Sequence, residues 1–216
     1  MSFKSSMLTL GFLFSITAQA AYDDSWYQDD FWSGEYGNGI AVYKENVSVP
    51  ARPVMDRDIP ASISCQLPFK AVFHPWNEAR VVQYRTASKI IPLHAKEDFD
   101  YDTDNGIIFA KKGDLLEYLI YYSEGMFALR FKGVEYVVAQ DILEKTDYDP
   151  SMYVPQEEWF KTTCVNGGEV WIFLSDLNSV DQNGDVVYFP GMGSWWPGYV
   201  EYGKVEDLTD EDLKGI

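Results

Sequence analysis

Ile107–Leu143 reads IIFAKKGDLLEYLIYYSEGMFALRFKGVEYVVAQDIL, and this stretch decides the fold class. Short apolar runs are cut at Lys112-Gly113-Asp114, at Ser123-Glu124-Gly125 and at Lys132-Gly133. Between the last two cuts the side chains alternate: Phe127, Leu129 and Phe131 fall on one face, Met126, Ala128 and Arg130 on the other. Val134, Tyr136 and Val138 repeat the alternation after the Lys-Gly turn. Successive side chains of a strand point to opposite faces, so period two with Gly-centred turns predicts short antiparallel strands. Turns at such close, regular spacing predict a small barrel or sandwich, a mainly β fold.

The same stretch carries a resemblance. Ile107-Ile108-Phe109-Ala110-Lys111-Lys112-Gly113-Asp114 resembles the aliphatic-x-Phe-x-Lys-Lys-Gly-Asp strand and turn of Src-homology-3 domains. Asp100-Tyr101-Asp102 stands where that family has its acidic loop. Where the eukaryotic members have a Trp pair this chain has Met126-Phe127, and where they have Pro and Tyr it has Ala139-Gln140-Asp141. The resemblance therefore implies the barrel and not the groove for proline-rich peptides. Val47–Leu67 resembles the opening of the bacterial Src-homology-3-like family, a V-x-V-R-x-x-P strand followed by a polar loop. Glu158–Leu177 resembles its closing hairpin through Trp159, Lys161, Gly167 or Gly168, Trp171 and Leu177. What the bacterial family implies is recognition of cell-wall peptide or glycan.

The outward reading gives the organisation. Residues 1–20 have the make-up of a secretory signal: Lys4, an apolar run from Met7 to Ile16, and the small-x-small site Ala18-Gln19-Ala20. A periplasmic or secreted protein is expected, with no membrane insertion after cleavage. Residues 21–39 form an arm rich in aromatic and acidic side chains, either packed on the barrel by its rings or touching the ligand. Residues 40–90 and 91–146 are expected as two Src-homology-3-like modules and 147–208 as a third β module, giving two or three small antiparallel barrels. Ile40–Val49 is expected as one strand, Ile63–Leu67 as another, Glu78–Ile91 as a strand pair or a strand and a short helix, and Tyr148–Pro155 as a linker. In a second layout 155–178 completes the 40–90 module, with 91–146 inserted between its halves. Leu208 to Leu213 carries the capping pattern of a helix, so 209–216 is expected as a short helical tail.

The chain has 34 acidic against 17 basic residues, a net charge of −17, which loss of Lys4 with the leader takes one unit further to −18. Such a charge opposes nucleic acid and anionic lipid and favours cationic partners. Cys65 and Cys164 are the two cysteines, and in an oxidising compartment such a pair is expected as a disulfide.

Motifs for chemistry are sparse. The two His, His74 and His94, stand in different contexts, and no G-x-S-x-G elbow accompanies Ser64 and His74. Zinc sites want three or four His or Cys ligands. The expectation is therefore a binding module without catalysis and without a resident cofactor. Its partner is expected to be a cell-wall fragment or an envelope protein, in the second case as a structural subunit of a larger assembly. Two constellations are candidate sites. An extended 97–106 places Asp98, Asp100, Asp102 and Asp104 on one face, either as a solvated loop or as a weak Ca2+ or cationic-peptide site. It is not an EF-hand, since Asn105 and Lys111 replace the required Gly and Glu. Adjacent Trp195 and Trp196 with Tyr199, in a Gly/Pro-rich loop, are the candidate ligand-binding aromatics, because exposed rings mark carbohydrate or protein contacts.

Overall fold

A computed structural model of the chain describes residues 22–31, 39–42, 45–73, 80–177, 186–188 and 199–202. The expected leader, His74, the 209–216 helix, and Trp195 and Trp196 lie outside these residues, and only the backbone of Tyr199 falls within them. The fold is mainly β. Its strands are β1 (Trp26–Asp29), β2 (Gly39–Val42), β3 (Ser48–Ala51), β4 (Ile63–Gln66), β5 (Val72–Phe73), β6 (Gln83–Lys89), β7 (Ile91–His94) and β8 (Phe99–Thr103). There follow β9 (Gly106–Ala110), β10 (Leu115–Ser123), β11 (Met126–Phe131), β12 (Val134–Ala139), β13 (Glu157–Thr163) and β14 (Glu169–Phe173), then a one-turn helix α1 (Leu174–Leu177), β15 (Val186–Tyr188) and β16 (Tyr199–Tyr202).

The central stretch folds as its alternation predicts. β10, β11 and β12 form a meander that β7 extends, in the spatial order β12-β11-β10-β7. The turns at Glu124-Gly125 and Lys132-Gly133 have two residues each, and all four have positive φ. That is the backbone whose twist matches antiparallel strands, and Gly at the second position adopts it without steric cost. Phe127, Leu129, Phe131 and Val138 are buried, with Ile91, Leu93, Phe99, Ile108, Leu116 and Ile142 in the same core. The hairpin β8–β9 closes one side of this core through Phe99 and Ile108. A 3-10 turn, Gln140–Lys145, follows β12, and Thr146 then bridges back to Ala95.

A second core is made by residues far apart in sequence. Ile40, Val49, Cys65, Leu67 and Phe73 pack with Phe160, Val170, Ile172 and Leu177. Cys65 and Cys164 form a disulfide inside it, with Cα atoms 5.2 Å apart and a sequence separation of 99. The Asn166 side chain accepts from the Gln66 N–H at 3.1 Å and donates to the Ser64 carbonyl at 2.9 Å, covering backbone groups of β4. Arg52 is buried in an ion pair with Asp176, and its guanidinium lies over Trp159 and Phe173. The two cores are joined by Ile90, the one residue between β6 and β7, and by the return from Thr146 to Glu157.

The structure differs from the sequence expectations in five places. Ile40–Val49 is not one strand: a turn at Glu45-Asn46, with Asn46 at φ 61°, divides it into β2 and β3. The described part of 78–91 is the single strand β6, which runs through Ile90 into β7. The stretch expected as a linker contains a 3-10 turn, Pro150–Met152, capped by Asp149 on the Ser151 N–H. The expected barrels are open among the described residues. The β8–β9 ladder is separate from the four-stranded sheet, and β3–β4 from the sheet β1-β6-β13-β14. Finally, β13–β14 and β15–β16 do not make a sheet of their own: the first pair joins β6, and the second joins β2 through a parallel β16 contact.

The arm is part of the scaffold. β1 pairs antiparallel with β6, and Tyr22 and Trp26 pack with Trp159. Tyr27 instead packs with Leu119, Ile120 and Ala128 on the back of β10, while Tyr122 donates to Asp29 at 3.0 Å. One short strand thus touches both the β6–β13 sheet and the β10–β11 sheet.

Candidate functional site

A cleft opens beside the β10–β11 turn, with a volume of about 300 Å³. Its deep side is Tyr118, Phe127 and Leu143, all buried. Tyr121 and Tyr148 are half-buried along its walls, and Tyr153, 43% exposed, stands at the rim with Gln140 and Gly125. The cleft's volume lies at the lower end of the range of small-ligand sites, and its lining is almost evenly polar and apolar.

Each wall has a local cause. Alternation along β10 turns Tyr118 toward the core, where it stacks on Phe127 with ring centroids 4.7 Å apart. Tyr148 stacks more loosely on the other side at 6.3 Å. Tyr121 lies beyond an irregularity in the β10–β11 register, and its hydroxyl accepts from the Gly125 N–H at 3.2 Å. The Gln156 side-chain amide donates to the Tyr121 carbonyl at 3.2 Å and ties the return segment to β10. The Tyr118 hydroxyl makes no hydrogen bond among the described residues. Burial first, then the neighbouring hydroxyls of Tyr153, Tyr148 and Tyr121, hold it well above the ordinary phenol range, so it stays a neutral donor.

The acidic constellation is arranged otherwise than a cation site requires. Asp98 accepts from the Lys112 N–H at 2.9 Å and from Lys111 Nζ at 3.0 Å, and these contacts hold its carboxyl below the usual range. Asp100 and Asp102 point to solvent from β8, and Asp104 sits in the turn after it. Among the described residues no group of three or more His, Cys, Asp or Glu is placed to hold a metal ion. Lys111 neutralises Asp98, and the other carboxylates, exposed, relieve their repulsion in water.

His94 is exposed and pairs with Asp147, Nδ1 to Oδ2 at 3.2 Å, while its own N–H is bonded to Oδ1 of the same carboxylate at 2.7 Å. No hydroxyl or thiol is hydrogen-bonded to the other ring nitrogen among the described residues. The pair fastens β7 to the chain after the 3-10 turn. The disulfide is compatible with an oxidising compartment. No helix among the described residues is long and apolar enough to cross a membrane.

Of the expected site residues, the cysteines meet and the four Asp do not. The tyrosine cleft was not marked by any motif. Its signal is the high tyrosine content, 15 residues in 216, and two of its members come from a stretch that reads as a linker. No family model, curated protein or solved structure matches this chain.

Proposed function

We propose that this protein is an exported, non-catalytic binding module that recognises a cell-wall peptide or glycan through the tyrosine cleft. The observation that carries the reading is the cleft itself, walled by tyrosine rings beside the β10–β12 meander, with a Tyr118 hydroxyl that makes no hydrogen bond among the described residues. Rigid aromatic rings on a preformed scaffold give contact area at small entropic cost. Export is supported by the make-up of residues 1–20 and by the disulfide. A Src-homology-3-like origin of the central module is supported by its element order: hairpin β8–β9, meander β10–β12, 3-10 turn, and a bridge back to Ala95.

The test is capture by purified sacculi, beside capture of envelope proteins. The double variant Tyr148→Ala with Tyr153→Ala should lose sacculus binding while keeping its disulfide and its β-sheet circular-dichroism spectrum, with a melting temperature lowered only by the loss of the Tyr148 packing. Undiminished capture moves the site, with Trp195→Ala and Trp196→Ala as the next variants. Release of product from peptidoglycan, abolished by His74→Ala or His94→Ala, overturns the reading in favour of a hydrolase.

One feature favours a second reading, a subunit of an envelope assembly. Ile107 and Phe109 on β9, Leu115 on β10, and Val134 and Val137 on β12 are each between 45% and 58% exposed. Capture of a discrete envelope protein that Phe109→Asp abolishes, with no sacculus binding, supports that reading.

A further inference from the structure

The chemistry around the cleft narrows its ligand. Every acidic neighbour counts here, because the lining itself carries no charge. One of them, Glu117 before Tyr118, is paired with Arg130, which leaves five: Glu124 precedes Gly125, Asp141 follows Gln140, Glu144 follows Leu143, and Asp147 and Asp149 flank Tyr148. No Lys or Arg is the sequence neighbour of any lining residue. All five carboxylates are exposed, and Glu124, Asp141, Glu144 and Asp149 have no Lys or Arg partner among the described residues. The chain as a whole is strongly acidic, with a net charge of −17, and the walls of the cleft are tyrosine rings, electron-rich on their faces. An anionic ligand is opposed by both. A neutral apolar ligand leaves the Tyr118 hydroxyl, set in a ring only 4% exposed, without use.

We infer that the tyrosine cleft holds an alkylammonium group of the ligand, with the cation against the tyrosine rings and the net negative charge of the chain drawing it in. This rests on the cleft being the binding site proposed above and specifies what enters it. A cation over an aromatic face is attracted by the ring quadrupole, most strongly where water is partly excluded. Tyr121, Tyr148 and Tyr153 supply rings of that kind around Tyr118, whose own ring is taken up in stacking on Phe127 and Tyr148. A phenol oxygen with a free lone pair suits an ammonium N–H or the polarised methyls of a quaternary ammonium. A net charge of −17 raises the local concentration of cations without the cost of burying a charge pair.

The experiment uses the full mature chain and follows the amide resonances of Gly125, Phe127 and Leu143 by nuclear magnetic resonance. Three probes are titrated: choline, n-butylammonium, and the carbon isostere of choline in which a tert-butyl group replaces trimethylammonium. Both cations should give saturable shifts, and the neutral isostere should bind roughly tenfold more weakly. Preference for choline over n-butylammonium would point to a methylated headgroup, and the reverse to a primary amine of a peptide side chain. Tyr153→Ala should abolish the cation preference with the spectrum otherwise unchanged. Equal binding of the isostere overturns the inference, as does the absence of saturable shifts with either cation. Sacculus capture that is lost in the cleft variants while the isostere binds as well as choline would keep the site and reject the ammonium. Selective binding of choline or butylammonium without sacculus capture would keep the ammonium and reject the wall as its source.

Discussion

Trp159 donates from Nε1 to the hydroxyl of Tyr22 at 2.6 Å, and Tyr22 donates in turn to Glu157 at 2.7 Å. The two aromatic residues are 137 positions apart, yet their rings meet edge to face. Arg57 completes the group by pairing with Glu157 and lying over Trp26, with 4.5 Å to the ring centroid. The start of the arm is therefore fastened by a closed polar chain around a buried indole.

Tyr22→Phe should destabilise the protein by about 1–3 kcal/mol, since it leaves the fully buried Trp159 N–H without an acceptor. Tyr27→Phe is the contrast. Its lost partner, Glu135, is exposed, and the change should stay within about 0.5 kcal/mol. Urea unfolding of the two variants checks this; equal effects would mean that the Tyr22 chain contributes nothing special.

Stability should fall in alkali. Burial, and next the bond to Glu157, pushes the Tyr22 phenol well above its ordinary value of 10.0. Tyr27 and Tyr101 are pushed up to about 12, again by burial first and then by their bonds to Glu135 and Asp141. These phenols hold their protons more tightly in the folded chain than in the unfolded one. Their contribution is complete below the ordinary phenol value and is lost as the pH rises through the folded values. The urea midpoint should therefore be flat from neutral pH to about pH 9 and drop above about pH 10. A midpoint that stays constant up to about pH 11 contradicts the assignment.

Thiol titration of unfolded, unreduced protein should find no free Cys65 or Cys164. Reduction should cost up to about 4–5 kcal/mol for a loop of this length in the chain-entropy model. Two free thiols would remove the cross-link and with it the covalent tie between the halves of the outer core.

Calcium at millimolar concentration should leave the melting temperature unchanged, and Asp98→Asn should make no difference to that result. A rise that Asp98→Asn, Asp100→Asn, Asp102→Asn and Asp104→Asn together remove would restore an ion to the acidic loop. Binding at 100 times the dissociation constant would show as about 2.7 kcal/mol.

The parts legible in the sequence are those where the information is local. The meander β10–β12 follows from alternation and two Gly turns within a few residues of each other, and the cysteine pair follows from compartment and number. The arm was not legible as a strand, because Trp26–Asp29 has no alternation and pairs with β6 over four residues. Its place is set by distant partners, Trp159 and Leu119 among them. The cleft failed to appear for the same reason: Tyr118, Gln140 and Tyr153 come from a strand, a 3-10 turn and an irregular return. Reading 40–49 as one strand overlooked Glu45-Asn46, where a polar pair outweighed the apolar pattern because Asn adopts positive φ readily.

The disulfide also changes what a protease can do to this molecule. The chain passes from the outer core into the central one at Ile90 and comes back before Glu157, and Cys65 and Cys164 lie on either side of that excursion. A single cut at any exposed turn within it, such as Glu124-Gly125, severs the backbone but releases no fragment. The two pieces remain one covalent ring opened at a single point, held by the cystine and by the β6–β13 ladder. On a gel the nicked protein would run as two bands only after reduction. The segment that bears the cleft thus stays attached, even when clipped, to the scaffold that positions it.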